Sequence, residues 1–521
     1  MNYSYSWKWL LGALAGLVAI HALAFALNDS AIVSALVVGA AGLGVLALGV
    51  KKLEWAMAVV LLELFVGGHG VLFTTSVAGF SFTLRMALFA GLMLAWVWGM
   101  WTKRYSMRYV HVRDYPWVVL VLAVIAGSVI GLLNNPLGHA FDDANSYFAL
   151  LYLLPMISIP VTALWKRQLL GVLAVSLVWL LGSGLALNYL FTHLSIDGID
   201  ALYTFVRDAR LYEVTLQVTE KATGPMQLFG EWVAGPLGYW YRIFGQSQIV
   251  ALFGGLVVLA AAWIGFRDQA LPRGAGWVML AIALVLVLGM SRTFLLALGG
   301  LGLIIFVIGL FAGKKRFATL PHRFATIVTL SLIAVALIGV TLRMPGETSL
   351  QELAMRTRDT SRDTAVSSRW NLLTPMVDTI KESPFVGHGF GKSVTYISND
   401  PRIIEMYGEV YETYRFEWGY LDLWIKTGVL GLLGVALLLW SYTAAAWYHY
   451  KKHPVKWLTI GLYASFLALM AVHVLTPYLN HPIGIGWLVF LIPFFDFEGL
   501  QESLNQKKKT LVKRASLSPQ V

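Results

Sequence analysis

Four charged side chains stand at the start of an otherwise apolar segment, YRFEWGYLDLWIKTGVLG, residues 414–431. Asp422 and Lys426 have the four-residue spacing of an ion pair on a helix, and Arg415 falls on the same face. We interpret these three as a salt-bridge ladder that compensates their charges beside an apolar region. Glu417 lies about 140° away from Asp422 around a helix. It is therefore the charged residue that the ladder does not explain.

His388 lies in the glycine-rich stretch PFVGHGFGKS, residues 384–393. The stretch resembles a nucleotide-binding loop, but that pattern requires glycine where this chain has Val386. We expect instead a turn after a helix, whose glycines permit positive φ or close backbone approach.

Several arginines have the chemistry needed to bind a phosphate group. A planar guanidinium holds the oxygens of a phosphate group bidentately. Arg292 lies in SRT, at the junction of two apolar runs, where a functional role is the first expectation and pairing with Glu63 is the alternative. Arg369, in SSRW, is a second candidate. Further candidate substrate-binding residues, with solvated loop positions as the alternative, are Arg85, Arg207, Arg210 and Arg242.

The composition indicates the class of fold that positions these residues. Of 521 residues, 58% are hydrophobic and only 13% are charged, whereas about a quarter are charged in a soluble domain. The chain is thus predicted to be an all-α polytopic membrane protein. Its net charge of +11 is explained by loop Lys and Arg that set topology, so we expect no nucleic-acid partner. The absence of cysteine excludes disulfides, thiol catalysis and thiolate-bound metal.

Apolar runs long enough to cross a bilayer predict about fourteen transmembrane helices. They lie near residues 8–27, 31–50, 53–66, 81–101, 115–133, 148–164, 168–190, 247–266, 276–290, 293–312, 324–342, 420–447, 457–475 and 482–496. With this count, the Lys- and Arg-rich connections fall on one side, together with both chain termini. We therefore expect both termini in the cytoplasm. The basic segment 497–521 becomes a cytoplasmic tail.

Two predicted extracytoplasmic loops, 191–246 and 343–419, are much longer than the others. Loops of this length are usually functional or structured in their own right. SSRWNLLTPMVDTIKESPF, in the second loop, has apolar residues at helical spacing, and Pro384 follows as a stop signal. We predict a helix there, on or above the outer membrane face. The chain is accordingly divided into regions 1–266, 276–447, 457–496 and 497–521.

The order of motifs over residues 276–440 resembles the C-terminal region of O-antigen ligases and O-antigen polymerases. In that family, an SR motif at a helix end is followed by a loop arginine, by P-x-x-G-x-G, and by H-N-x-x-L before G-x-x-G. Here the matching residues are SRT at 291–293, Arg369, PFVGHG at 384–389, and the glycines at 428 and 431. One position departs from the pattern, because Glu417 stands where the family has the histidine proposed as catalytic base. We expect this carboxylate to take over that role. His388 is the competing candidate, and the distance of each residue from the reacting carbons decides between them.

The resemblance implies a GT-C-like fold and a metal-independent, inverting glycosyltransferase without a cofactor. Such an enzyme moves an oligosaccharide from a polyprenyl-diphosphate carrier to a glycan or lipid-linked acceptor, at the outer face of the bacterial cytoplasmic (inner) membrane. The expected partners are that donor, that acceptor, membrane lipid and a chain-length regulator. The catalytic residues would be Glu417, Arg292 and His388. The alternative function is a lipid-linked oligosaccharide flippase, but the charges concentrate at predicted outer helix ends instead of the bilayer midplane.

Overall fold

The computed structural model describes residues 7–27, 29–77, 80–194, 196–218, 239–265, 275–289, 291–311, 364–399 and 401–517. Most of these residues are helical, as predicted, but three two-stranded antiparallel hairpins are present as well. The chain forms two compact units: residues 1–106 with 158–359, and residues 107–157 with 360–521. Each unit is described separately below.

The helices are numbered in chain order. They are α1 (Trp7–Leu27), α2 (Ala31–Lys51), α3 (Leu53–Val66), α4 (Leu84–Trp101), α5 (His111–Asn134), α6 (Leu137–Ala144), α7 (Leu153–Ser158), α8 (Ala163–His193), α9 (Ile196–Asp208), α10 (Gln248–Ala260), α11 (Ala275–Gly289), α12 (Arg292–Phe311), α13 (Thr364–Glu382), α14 (Pro401–Tyr407), α15 (Gly419–Lys452), α16 (Lys456–His473), α17 (Pro482–Leu491) and α18 (Phe497–Leu517). Short 3₁₀ segments cover Asn145–Tyr152, Tyr478–Asn480 and Ile492–Phe494, and a π turn covers Ala261–Gly265. The strands are β1 (Thr74–Val77), β2 (Phe80–Thr83), β3 (Glu213–Val218), β4 (Tyr239–Phe244), β5 (Val394–Ile397) and β6 (Val410–Thr413), paired as β1–β2, β3–β4 and β5–β6.

Seven of the described helices are long and apolar enough to cross a membrane: α1, α2, α4, α5, α8, α15 and α16. The bent pair formed by Pro482–Phe494 and Phe497–Thr510 makes an eighth if it counts as one span. The predicted number of fourteen is therefore not confirmed. The run near 324–342 lies outside the described residues.

Two predicted spans are interrupted where proline stands in the run. Residues 148–164 form part of a 3₁₀ segment, then the short helix α7, and then a non-helical stretch that contains Pro160. Residues 482–496 form α17 and a 3₁₀ turn that contains Pro493, after which the chain bends by 64° into α18. Proline has no N–H to donate and its ring clashes with the preceding turn, so neither run continues as one straight helix.

The first unit contains closely packed apolar helices. A Cβ on Gly42 of α2 would contact the backbone of Ala87 on α4, and a Cβ on Gly91 would overlap the carbonyl of Gly42. Small residues at such contacts let helix backbones approach within a membrane, where burial from water supplies no extra attraction. This unit also contains the structured parts of the first long loop, namely α9 and the β3–β4 hairpin.

The second unit is built around α15, which packs along α5. The helix predicted in the second long loop is confirmed as α13, and Pro384 follows its end. Leu372, Met376 and Ile380 form the buried face of α13 at four-residue spacing, and they pack against Phe416 and Ile425. The β5–β6 hairpin joins the same core. Residues 415–417 are thereby held against α13.

Candidate functional site

An ion pair joins Glu417, which precedes α15, to Arg369 near the start of α13. Arg369 Nε donates to one oxygen of Glu417, and Nη2 donates to the other over 3.2 Å. The pairing is thus bidentate, the geometry in which guanidinium recognises carboxylate or phosphate. The Arg369 side chain is 38% exposed and that of Glu417 is 50% exposed. Both groups are accessible to a bound substrate.

The neighbours of Glu417 hold it in place. Phe416 is buried in the core cluster that includes Leu372 and Met376 of α13. Trp418 packs against the same cluster, and its indole Nε1 donates to the backbone oxygen of Arg369 over 2.9 Å. Glu417 therefore lies between two anchored side chains. Both connect its segment to the helix that carries Arg369.

The predicted ladder of charges is only partly correct. Asp422 and Lys426 form the expected i, i+4 pair on α15, with Oδ1 and Nζ 2.5 Å apart. Arg415, however, is not in the helix, which begins at Gly419. Residues 415–418 alternate between outward and inward side chains as a strand does, because Phe416 and Trp418 both enter the core. The Arg415 guanidinium instead lies 3.5 Å from the Asp142 carboxylate.

A buried polar network lies next to this site in the same unit. Lys426 Nζ is 2.5 Å from Asp143 Oδ1, and Asp143 Oδ2 accepts from the backbone N–H of Gly391 over 2.9 Å. Asp422 accepts a hydrogen bond from the side chain of Asn480. Tyr147 donates to Asn480 over 2.8 Å, which completes the chain of contacts. The network fastens the glycine-rich turn to α15.

The glycine-rich turn takes the conformation predicted for it. Gly387, Gly389 and Gly391 have φ of +78°, +81° and +81°. A Cβ on Gly389 would overlap the backbone of Gly131 on α5. The turn also inserts into α15, whose hydrogen bonding opens at Gly428, where φ is +62°. There the Ile425 carbonyl accepts from the His388 N–H over 2.7 Å, and the Val429 N–H donates to Phe385. Glycine is required at these contacts because a side chain would occupy the same space.

The structure places His388 away from the Arg369–Glu417 pair. Its ring Nε2 lies 2.8 Å from the Thr379 carbonyl on α13, and its side chain is only 18% exposed. Thr379 is ten residues after Arg369, which corresponds to about 15 Å along a helix. The two candidate bases are not brought together. His388 instead links the turn to α13.

Two candidate arginines of the first unit make structural contacts. Arg85 forms a bidentate ion pair with Glu63, with Nε–Oε2 at 3.0 Å, and Nη2 donates to the Gly68 carbonyl. Its side chain is 12% exposed. Arg242 donates to the Gly289 carbonyl over 3.0 Å and lies over the Phe244 ring. Glu63, considered as a partner for Arg292, is thus paired with Arg85.

The remaining candidates occupy helix ends of the first unit. Arg207 pairs with the adjacent Asp208 over 2.8 Å at the end of α9. The Arg207 guanidinium lowers the pKa of the Asp208 carboxyl by donating a hydrogen bond to it. Arg210 has φ of +46° and its carbonyl accepts from the His69 N–H. Arg292 is the first residue of α12. Ser291 precedes the helix, and its hydroxyl accepts a hydrogen bond from the Phe294 N–H. The side chain of Arg292 lies outside the described part of the structure.

Residues not selected from the sequence contribute to the surroundings of the site. Asp142 accepts a hydrogen bond from the Tyr414 hydroxyl, whose ring stacks on His139 at 4.3 Å. Partial burial raises the pKa of Tyr414. The adjacent acids Asp142 and Asp143, between two apolar runs, are the sequence feature from which this polar cluster could have been identified. In the described part of the chain, no cluster of three His, Asp or Glu residues is arranged to hold a metal ion.

Comparison with known protein families finds a match over part of the chain. Residues 277–436 match the family model described as O-antigen ligase. The matched range is less than a third of the chain and contains Arg292, Arg369, His388 and Glu417. It confirms the resemblance to the O-antigen ligase and polymerase superfamily. Together with the apolar helices, it indicates a multi-pass membrane protein. No curated protein matches the chain.

Proposed function

We propose that this protein is a membrane glycosyltransferase that moves an oligosaccharide from a polyprenyl-diphosphate carrier to a hydroxyl group of a glycan or lipid-linked acceptor. The observation that supports this best is the accessible bidentate pair of Arg369 and Glu417 within the family-matched region. One partner has the chemistry to bind diphosphate, and the other to accept a proton. We place the reaction at the outer face of the bacterial inner membrane.

The proposed reaction is a single displacement with inversion. Glu417 takes the proton of the acceptor hydroxyl as its oxygen forms a bond to the anomeric carbon. The bond from that carbon to the diphosphate oxygen breaks on the opposite side, and its electron pair leaves with the carrier. Arg369 stabilises the negative charge that develops on the diphosphate. Neither a metal ion nor a cofactor takes part.

The contact between the two residues has a consequence for this mechanism. A carboxylate held by both arms of a guanidinium is a weak base, because the ion pair stabilises its charged form. Diphosphate competes for the same guanidinium, since it offers the same arrangement of oxygens. Donor binding would then draw Arg369 away and leave the Glu417 oxygens for the acceptor. The half-exposed positions of both side chains leave room for this exchange.

Glu417 is a better candidate for the base than His388. The His388 ring nitrogen Nε2 faces a backbone carbonyl, and its ring is mostly buried. A base must come within hydrogen-bond reach of the hydroxyl that it deprotonates. Glu417 presents two oxygens at an exposed position, beside the arginine that would bind the donor.

The test is the activity of Glu417→Gln, with Glu412→Gln as the matched control. Glu412 is an exposed carboxylate five residues earlier, on β6. We expect Glu417→Gln to reach membranes in normal amounts and to lose at least about a hundredfold of its transfer activity, within the range for general-base removal. Glu412→Gln should retain full activity. Full activity of Glu417→Gln would remove this residue from the proposed role.

The acceptor is defined by the glycans of a deletion strain. Acceptor that carries at most one repeat would indicate a polymerase, whereas long glycan retained on its polyprenyl carrier would indicate a ligase. Single repeats confined to the cytoplasmic leaflet would contradict the transferase proposal and favour a flippase. A gel of acceptor-linked glycan and mass spectrometry of extracted carrier lipids provide the first two readouts. Accessibility of the carrier-linked sugar to an added glycosidase provides the third.

A further inference from the structure

We propose that Trp370 forms the floor of a subsite for the sugar of the acceptor next to the reacting unit. This inference rests on the proposed function and names a contact that the proposed mechanism does not use. Trp370 is 57% exposed although it is a large aromatic residue. It directly follows Arg369 on α13, the residue that pairs with Glu417.

Trp370 is held firmly enough to act as a binding surface. Its ring packs edge-to-face against Trp418, with centroids 5.2 Å apart and an interplanar angle of 64°. Trp418 is itself fixed by its hydrogen bond to the Arg369 carbonyl. A ring oriented by a second ring has little rotamer freedom left to lose when a ligand binds. Such preorganised aromatic faces provide large contact area at low entropic cost.

A series of contacts connects Trp370 to the proposed base. The Trp370 ring packs on Trp418, the Trp418 indole donates to the Arg369 carbonyl, and the Arg369 guanidinium holds Glu417. We therefore expect the sugar next to the reacting hydroxyl to lie over Trp370 when that hydroxyl reaches Glu417. The polarised C–H bonds on the face of a sugar pack favourably on the negative face of an indole.

The local charge favours a hydroxyl-rich ligand over the surface of an anionic membrane. The β5–β6 hairpin approaches Trp370 through a hydrogen bond of 3.0 Å from Asn371 to the Ile397 carbonyl. Residues 394–413, which span this hairpin and α14, contain four acidic residues and one basic residue. Anionic headgroups attract basic segments and are repelled by acidic ones. A sugar without charge meets no such repulsion.

Oxidative footprinting of the full-length protein tests this subsite. The protein would be placed in lipid nanodiscs, exposed to hydroxyl radicals and digested, and oxidation of each tryptophan would be read by mass spectrometry. The probe is the glycan part of the acceptor that accumulates in the deletion strain, released from its lipid by mild acid. We expect it to protect Trp370 at least threefold. Trp440 of α15, 53% exposed, is the matched control and should be shielded by the nanodisc lipid with or without the probe.

Two variants separate stacking from simple burial. Trp370→Phe keeps an aromatic face, whereas Trp370→Leu keeps apolar volume without one. We expect Trp370→Leu to raise the KM for acceptor about tenfold, the ratio that corresponds to about 1.4 kcal/mol. Trp370→Phe should raise it about threefold, and Trp440→Leu should not change it. The loss should appear in KM for acceptor and not in KM for donor.

The outcomes distinguish this subsite from the proposed function. Protection of Trp370 by nanodisc lipid alone would mean an interfacial anchor and would overturn the proposal. Absence of any protection by the oligosaccharide, or equal KM for the Phe and Leu variants, would overturn it as well. An active Glu417→Gln together with a protected Trp370 would refute the proposed base but leave the subsite standing. An inactive Glu417→Gln with an unprotected Trp370 would do the reverse.

Discussion

Lys426 and Asp143 lie 283 positions apart in the chain, yet their side chains meet inside the second unit with Nζ and Oδ1 separated by 2.5 Å. Lys426 is also 2.5 Å from Asp422, and its own side chain is only 3% exposed. One ammonium group thus compensates two buried carboxylates. Removal of one partner from a buried pair leaves a charge without compensation, at a cost of about 3–5 kcal/mol.

We therefore predict that Lys426→Met is strongly destabilised. Its thermal midpoint in detergent should fall by at least about 10 °C, or the protein should fail to accumulate, because two carboxylates remain buried. Lys381→Met is the control, since Lys381 pairs with Asp378 over 2.8 Å while 70% exposed. An exposed pair contributes about 0–1 kcal/mol. Equal melting of the two variants would show that the buried network is not needed for stability.

A second prediction concerns Gly389 in the glycine-rich turn. Gly389→Ala combines a positive φ with a Cβ that overlaps the backbone of Gly131. Gly408 has φ of +87° but no atom within 4 Å of a Cβ placed there, so Gly408→Ala isolates the backbone cost of about 1–2 kcal/mol. We expect Gly408→Ala to fold with a slightly lower melting temperature and Gly389→Ala to be lost from the membrane fraction. Comparable yields of both would mean that the turn can move away from α5.

The sequence predicted those features that depend on local pattern. Helix α13 was predicted from apolar residues at helical spacing, and the glycine turn from three closely spaced glycines. The Asp422–Lys426 pair followed from its i, i+4 spacing. Each of these features is determined within a few residues, so a period or a spacing is sufficient information.

Features that depend on distant residues could not be predicted. The start of α15 at Gly419 is determined by Phe416 and Trp418, which enter a core built partly from α13. The actual partner of Arg415 is Asp142, and that of Arg85 is Glu63. The partner of Glu417 was likewise invisible, because Arg369 lies 48 residues earlier. Hydropathy alone also predicted one continuous span for each of the runs that contain Pro160 and Pro493, whereas both runs are interrupted in the structure.

A third prediction separates binding from structure at Arg85. Arg85→Met leaves the Glu63 carboxylate without its guanidinium and should be destabilised. The double variant Arg85→Met with Glu63→Gln removes both charges and should recover most of the membrane yield. If Arg85 has only this structural role, transfer activity per molecule of the double variant should equal that of the native protein. A stable but inactive double variant would assign Arg85 to the substrate.

The fourth prediction concerns His388. His388→Gln keeps an N–H group able to reach the Thr379 carbonyl, whereas His388→Ala does not. We expect the Gln variant to retain activity within about threefold and the Ala variant to lose about 1 kcal/mol of stability with its hydrogen bond. Folded but inactive His388→Gln protein would make His388 the base and would contradict the role given to Glu417. Activity assays on equal amounts of purified protein decide between these outcomes.

The last prediction concerns the guanidinium of Arg369, which donates to both carboxylate oxygens of Glu417. Arg369→Lys keeps the positive charge but offers a compact ammonium group that cannot engage two oxygens in one plane. Both the contact to Glu417 and the proposed contact to diphosphate lose one arm, so we expect activity to fall about tenfold to a hundredfold. The loss should include a higher KM for the polyprenyl-diphosphate donor. Arg415→Lys is the matched control, because Arg415 is highly exposed and its guanidinium lies 3.5 Å from Asp142 and over the Tyr414 ring. Transfer rates over a range of donor concentrations, on equal amounts of each variant, measure the effect. If Arg369→Lys behaves like Arg415→Lys, the guanidinium geometry is irrelevant and charge alone suffices at this position.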